Sequence, residues 1–155
     1  MRGNQEIIKI LNTLLTGELS AADQYFVHSR MYQDWGLEKL FERITHESQE
    51  ELEHADQLIQ RILFLEGVPD VASRDPLRIG SDVPSMLAND LKLELEVVTA
   101  LKEAIKAAEQ QQDYQTREIL EVLLKDTEID HTYWLEKQLG LIDKIGLPNY
   151  LQSRM

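Results

Sequence analysis

Residues 67–82, GVPDVASRDPLRIGSD, decide how this chain is laid out. They carry Pro69 and Pro76 with Gly67 and Gly80, and they show neither helical nor strand periodicity, so they form the one long connection. On either side, apolar residues recur every three or four positions, the spacing of a buried helix face. Upstream, Ile7, Leu11, Leu14, Glu18, Ala21, Tyr25 and His28 line a first helix over about 5–34, which Gly36, following Trp35, is placed to end. Leu40, Ile44, Ser48, Glu51, Ala55, Leu58, Ile62 and Leu65 line a second over about 37–66, stopped by Gly67 and Pro69. Downstream, Asp82 is an N-cap candidate, with Pro84 in the first turn of a third helix over about 83–110. Its stripe is Leu87, Leu91, Glu94, Val98, Leu101, Ile105 and Ala108. After a short turn at 110–113, a fourth helix runs over about 114–141 through Leu120, Leu124, Glu128, His131, Leu135 and Leu139. Residues 147–153 suffice for one short extra helix.

A helix of nearly 30 residues is about 45 Å long, and sixteen extended residues reach roughly 53 Å. The connection can therefore run the full length of a bundle, placing helices two and three parallel. The expected fold is an all-α four-helix bundle with one long crossover and a short C-terminal helix, in a single domain over 1–155. A plain up-down bundle would need no such loop.

Composition narrows the function. With 28 acidic and 16 basic residues the net charge is -12, which disfavours nucleic acid and anionic membranes as partners and favours cations. The absence of cysteine excludes disulfides, zinc–thiolate sites and thiol nucleophiles. The longest apolar run, Ile62-Leu63-Phe64-Leu65, cannot span a bilayer, and the first residues lack the apolar block of a signal peptide, so a cytoplasmic location is expected.

The informative anomaly is glutamate where leucine belongs. Glu18, Glu51, Glu94 and Glu128 each fall near the middle of one helix's apolar stripe. Two of them continue as Glu-x-x-His, Glu51–His54 and Glu128–His131, and an i, i+3 spacing places both side chains on one helix face. The pattern occurs once in each half of the chain. Four buried carboxylates would repel one another and cost several kcal/mol each, about the effective penalty per buried ion. No lysine or arginine recurs on the stripes to pair them. Two divalent cations would balance four carboxylates, with the histidines as neutral donors, and mixed oxygen and nitrogen ligation suits iron or manganese, with zinc as competitor. His28 and His46 lack a glutamate three positions earlier and read as ordinary, satisfied polar residues at helix surfaces.

With these residues in view, the chain resembles the bacterioferritins. LNTLLTGEL, DQYFVHSRMYQDWGLEKL, HADQLIQRILFLEG, LRIGSDV, DLKLELE, WLEKQLGLIDKIGL and NYLQSRM carry the likeness from end to end. The resemblance implies a ferritin-like bundle and a di-iron ferroxidase centre ligated by Glu18, Glu51, His54, Glu94, Glu128 and His131. Glu51 and Glu128 would bridge, while Glu18 with His54 and Glu94 with His131 would hold one iron each. It also implies a cytoplasmic homo-oligomeric 24-subunit shell that oxidises Fe(II) with dioxygen or peroxide and stores a ferric mineral. Tyr25 matches a tyrosine that could supply an electron, and His46, Glu47 and Glu50 could pass iron to the cavity.

One departure concerns haem b. In haem-containing members a methionine lies between the bridging glutamate and the histidine, and here that position is Leu52, which has no lone pair to offer a haem iron. Met31 is expected to pack apolar surface, and Met86 is the other internal methionine. A shell of this chain alone is expected to bind no haem through paired methionines, although one mixed with a methionine-bearing sister subunit could. Two other readings stay open: a di-iron peroxidase of rubrerythrin-like type, and a structural shell subunit without a fast centre.

Overall fold

The computed structural model describes all residues 1–155 and contains no strand. Helix α1 spans Gln5–Asp34, α2 Glu38–Phe64 and α3 Val83–Gln110. The fourth rod is continuous but not uniform: α4 over Tyr114–Asp126, a π turn over Thr127–Thr132 and α5 over Tyr133–Ile145. A short α6, Leu147–Ser153, closes the chain. The rod runs on to Ile145, past the 141 expected from the pattern, because the backbone first takes the left-handed turn at Gly146 (φ 81°), not at Gly140.

The helix ends explain themselves chemically. Asn4 Oδ1 accepts the Glu6 and Ile7 amides at 2.8 and 3.2 Å, covering donors that the first turn of α1 leaves free. Asp82 and Ser85 form a reciprocal capping box at the start of α3, with Pro84 in the first turn. Helices α1, α2 and α3 end alike. Gly36, Glu66 and Gln112 take positive φ, and the next amide bonds back to Tyr32, Ile62 and Ala108 respectively. This motif ends α2 at Phe64, two residues before the expected boundary.

Contacts at the ends fix the topology. The Gly3 amide donates to the Leu65 carbonyl at 3.0 Å, and Asn4 Nδ2 to Gln111 Oε1 at 3.1 Å. The start of α1 therefore lies beside the ends of both α2 and α3, which makes those two helices parallel, as the long connection predicts. This is the ferritin-like bundle.

The crossover is laid along α1. Asn12 Oδ1, Ser20 Oγ, Gln24 Oε1 and His28 Nε2 accept the backbone amides of Asp70, Asp75, Arg78 and Gly80 at 2.8, 2.8, 3.0 and 3.1 Å. Spacings of eight, four and four put these acceptors on one flank of the helix. His28 is thus not at a helix surface, as its lack of a partner glutamate suggested. It is completely buried, with Nδ1 2.9 Å from Asp90 Oδ1, an oxygen that Gln24 Nε2 also reaches at 2.8 Å. Gly80 is required by packing, since a Cβ there would lie 2.5 Å from the Met86 backbone nitrogen.

Two apolar clusters fill the bundle. One gathers Ile7, Leu11, Leu58, Leu101 and Leu120, and the other Tyr25, Ile44, Leu87, Leu135 and Tyr150. Along every rod, the residues between the two clusters are polar: Glu18, Glu51 with His54, Glu94, and His131. That layer is the candidate site.

Candidate metal centre

Glu18, Glu51, Glu94 and His131 are at most 1% exposed, and His54 3%. The centre is arranged about Glu51. Its Oε2 lies 3.6 Å from His54 Nδ1, and its Oε1 2.8 Å from His131 Nδ1. Glu18 Oε2 stands 3.5 Å from His54 Nδ1, and Glu94 Oε1 3.3 Å from His131 Nδ1. The imidazoles stack with centroids 5.8 Å apart and 19° between planes. Two triads result, Glu18–Glu51–His54 and Glu51–Glu94–His131, each compact enough to hold an ion, with Glu51 common to both, and a third such group, Glu47–Glu50–His131, gathers on the other side of the His131 ring.

Both oxygens of Glu18, both of Glu51, Glu94 Oε2 and His54 Nδ1 are buried without a hydrogen bond. Buried polar atoms of this kind cost free energy unless something pairs them. In the metal-free chain the histidines pair them in part. Burial disfavours charge on His54, but the Glu18 and Glu51 carboxylates, 3.5 and 3.6 Å away, outweigh it and push the imidazole up to about 11. Burial opposes charge on His131 too, and Glu47, Glu51 and Glu94 drive it far above its usual value. Burial, reinforced by the charge on Glu51, raises the Glu18 carboxyl well above the usual range. The Tyr25 hydroxyl donates to Glu94 Oε1, and burial with the charges of Glu94, Asp90 and Glu51 holds the phenol in its neutral form.

Glu128 does not join them. It is exposed in the π turn, with Oε1 3.8 Å from Lys102 Nζ, which corrects the expectation of a carboxylate on the buried face of the fourth rod. The reason is geometric: a π turn rotates the chain less per residue than an α turn, so Glu128 and His131 no longer share a face. Single π turns of this sort concentrate at functional sites.

The accessory residues divide. Glu47 is buried between the Arg43 guanidinium (Nε to Oε1, 2.7 Å) and the His131 ring (Oε2 to Nε2, 2.6 Å). Burial raises its pKa, but His131 and Arg43 more than offset this and leave it below the usual range. Glu50 bridges His131 Nε2 and His46 Nε2, both at 2.7 Å, and His46 is exposed as expected. Leu52 is half exposed, Met31 packs against the second cluster and Met86 is buried in it.

Three polar residues near the centre escape a reading of apolar stripes. Arg43 also donates to the Asp130 carbonyl at 3.1 Å and lies 4.6 Å over the Trp134 ring, tying α2 to the π turn. Asp126 Oδ2 is 3.4 Å from His54 Nε2. Asp90 is completely buried, and its position four residues before Glu94 was the available signal.

Comparison with known proteins agrees with this fold. The Ferritin-like domain matches residues 8–145. A bacterial ferritin of Synechocystis sp. is 61% identical over 155 residues, covering 100% of this chain and 99% of its own. A bacterial ferritin of Pseudomonas aeruginosa is 57% identical over 155 residues and the full length of both chains. A bacterioferritin of Brucella melitensis is 41% identical over 152 residues, covering 98% of this chain and 94% of its own. A bundle with parallel second and third helices, a carboxylate–imidazole layer at mid-height and end-to-end similarity to these proteins lead to one conclusion: the chain belongs to the ferritin-like family.

Proposed function

We propose that this chain is the subunit of an iron-storage shell and a ferroxidase, taking Fe(II) as substrate at a dinuclear centre within each subunit and oxidising it with dioxygen or peroxide. The observation that carries the reading is the set of buried, unpartnered carboxylate oxygens and imidazole nitrogen between the two apolar clusters. Glu18 and His54 would hold one iron, Glu94 and His131 the other, and Glu51 both, with Glu128 turning in from the π turn as the fourth carboxylate. Two divalent ions carry the charge that four carboxylates need, and they take over the place of the imidazolium protons. Tyr25, hydrogen-bonded to Glu94, is placed to give up an electron while its proton passes to that carboxylate. His46, Glu47 and Glu50 lie on the His131 side of the centre and offer ferric product a way onward to the interior of a 24-subunit shell. The whole chain acts as one cytoplasmic domain. Leu52 gives such a homo-oligomer no thioether for haem b, so haem would need a sister subunit.

Anaerobic Fe(II) titration of the metal-free protein, followed by addition of oxidant, tests this against Glu51→Ala and Glu128→Ala. A break at about two irons per chain is expected, with rapid oxidation lost in Glu51→Ala and slowed at least tenfold in Glu128→Ala. Equal, slow oxidation in all three proteins would overturn the ferroxidase and leave a structural shell subunit. Rapid turnover of peroxide without retention of ferric mineral would instead favour a rubrerythrin-like peroxidase.

A further inference from the structure

Each histidine of the centre turns the same ring atom inward. His54 Nδ1 faces Glu18 and Glu51, and His131 Nδ1 faces Glu51 and Glu94. Each therefore turns Nε2 outward, and each Nε2 meets a carboxylate outside the two triads. For His54 this is Asp126 Oδ2 at 3.4 Å, and for His131 it is Glu50 Oε2 at 2.7 Å, with Glu47 Oε2 beside it at 2.6 Å and already engaged by Arg43 through its other oxygen. The arrangement is crossed. Asp126 ends α4, on the rod that bears His131, and Glu50 lies on α2, the helix that bears His54. A carboxylate just ahead of each Glu-x-x-His segment thus serves the histidine of the other.

A neutral imidazole carries one N–H, and a metal needs the lone pair of the other nitrogen. A carboxylate fixed at Nε2 keeps the N–H there, leaves the Nδ1 lone pair directed inward and stops the ring from flipping. We propose that Asp126 and Glu50 are positioning residues: each fixes the tautomer and orientation of the histidine on the opposite segment, and together they make the two metal subsites unequal. Glu50 does this strongly, from short range and with its other oxygen 2.7 Å from His46 Nε2. Asp126 does it weakly, across a longer contact from a side chain that is 45% exposed. The His131 subsite is thereby the tighter of the two. This inference rests on the dinuclear reading and goes beyond it.

Anaerobic titration with Co(II), followed through its visible absorption, separates the two ideas. Wild type is expected to bind two Co(II) per chain in two resolvable steps. Asp126→Ala should weaken one step about tenfold, and Glu50→Ala the other step by up to about a hundredfold, the range that removal of such outer partners covers. Asp126→Asn and Glu50→Gln should restore most of the affinity, because an amide oxygen still accepts the Nε2 hydrogen. Melting of each metal-free variant at the wild-type temperature would exclude misfolding as the cause. Unchanged steps in both alanine variants would overturn the proposal while leaving the centre intact. Loss in Glu50→Ala of a third Co(II) equivalent, with the first two unchanged, would make Glu50 a ligand of a separate site and overturn its positioning role. Failure of wild type to take up two ions would defeat the dinuclear reading itself.

Discussion

His54 holds a charge that its burial opposes, because Glu18 and Glu51 face it across 3.5 and 3.6 Å and only 4% of its side chain is exposed. In the metal-free protein its pKa is pushed from the usual 6.5 up to about 11. The native state then keeps a proton that the unfolded chain releases, so stability declines as pH rises between about 6.5 and about 11. Glu18 adds the same sign from lower pH, since its raised carboxyl also binds a proton more tightly when folded. Metal-free protein should therefore melt at a higher temperature at pH 7 than at about pH 10, and His54→Gln should lessen that dependence, His131 retaining its share of the same sign. A melting temperature that stays level across the range in wild type would contradict the imidazolium assignment. At this scale the apolar stripes pointed to the burial of Glu18, Glu51, His54, Glu94 and His131, because each interrupts one of them. It misled at Glu128, where the same stripe is read through a turn of different pitch. The contacts of Asp126 and Glu50 with the two histidines were hard to see for a related reason: each reaches a histidine of another element, which no spacing within one helix can reveal.

Among the elements, the helix ends give the sharpest expectations. Gln112 occupies a left-handed conformation (φ 58°) at the end of α3, where the same motif at the end of α1 has Gly36. Left-handed geometry costs a side-chain-bearing residue about 1–2 kcal/mol, part of which glycine returns as chain entropy. Gln112→Gly should accordingly stabilise the fold by roughly 0.5–1 kcal/mol, seen as a raised thermal midpoint; a lowered midpoint would mean that the side chain makes a compensating contact. Gly80→Ala has the opposite expectation. The new methyl meets backbone atoms of α3, which cannot swing aside, and a loss of about 1–3 kcal/mol is expected, with the crossover amides becoming faster to exchange. The long connection and the Asp82 cap were readable because proline, glycine and capping residues punctuate a chain locally. The continuation to Ile145 was not, since an interior glycine such as Gly140 and a terminal one such as Gly146 look alike until the backbone angles are known.

For the molecule as a whole, the excess of acidic residues and the polar layer between two apolar clusters make divalent cations part of the stability balance. Ions that bind only the folded chain stabilise it by about 2.7 kcal/mol per site at a hundredfold excess over Kd. Co(II) or Zn(II) at that excess should raise the melting temperature of wild type and shift Glu51→Ala much less, because Glu51 belongs to both triads. An equal shift in the two proteins would place the stabilising ions on the acidic surface instead.

The four acceptors that hold the crossover, Asn12, Ser20, Gln24 and His28, all belong to the first helix. The connection's own hydrogen bonds are local, around Asp70 and Arg74, so its longer path is copied from a helix that leaves the ribosome some fifty residues ahead of it, as the separations of 58, 55, 54 and 52 residues record. Order in this segment is thus inherited: α1 must be formed, with its flank uncovered, before residues 67–82 can settle and deliver α3 parallel to α2.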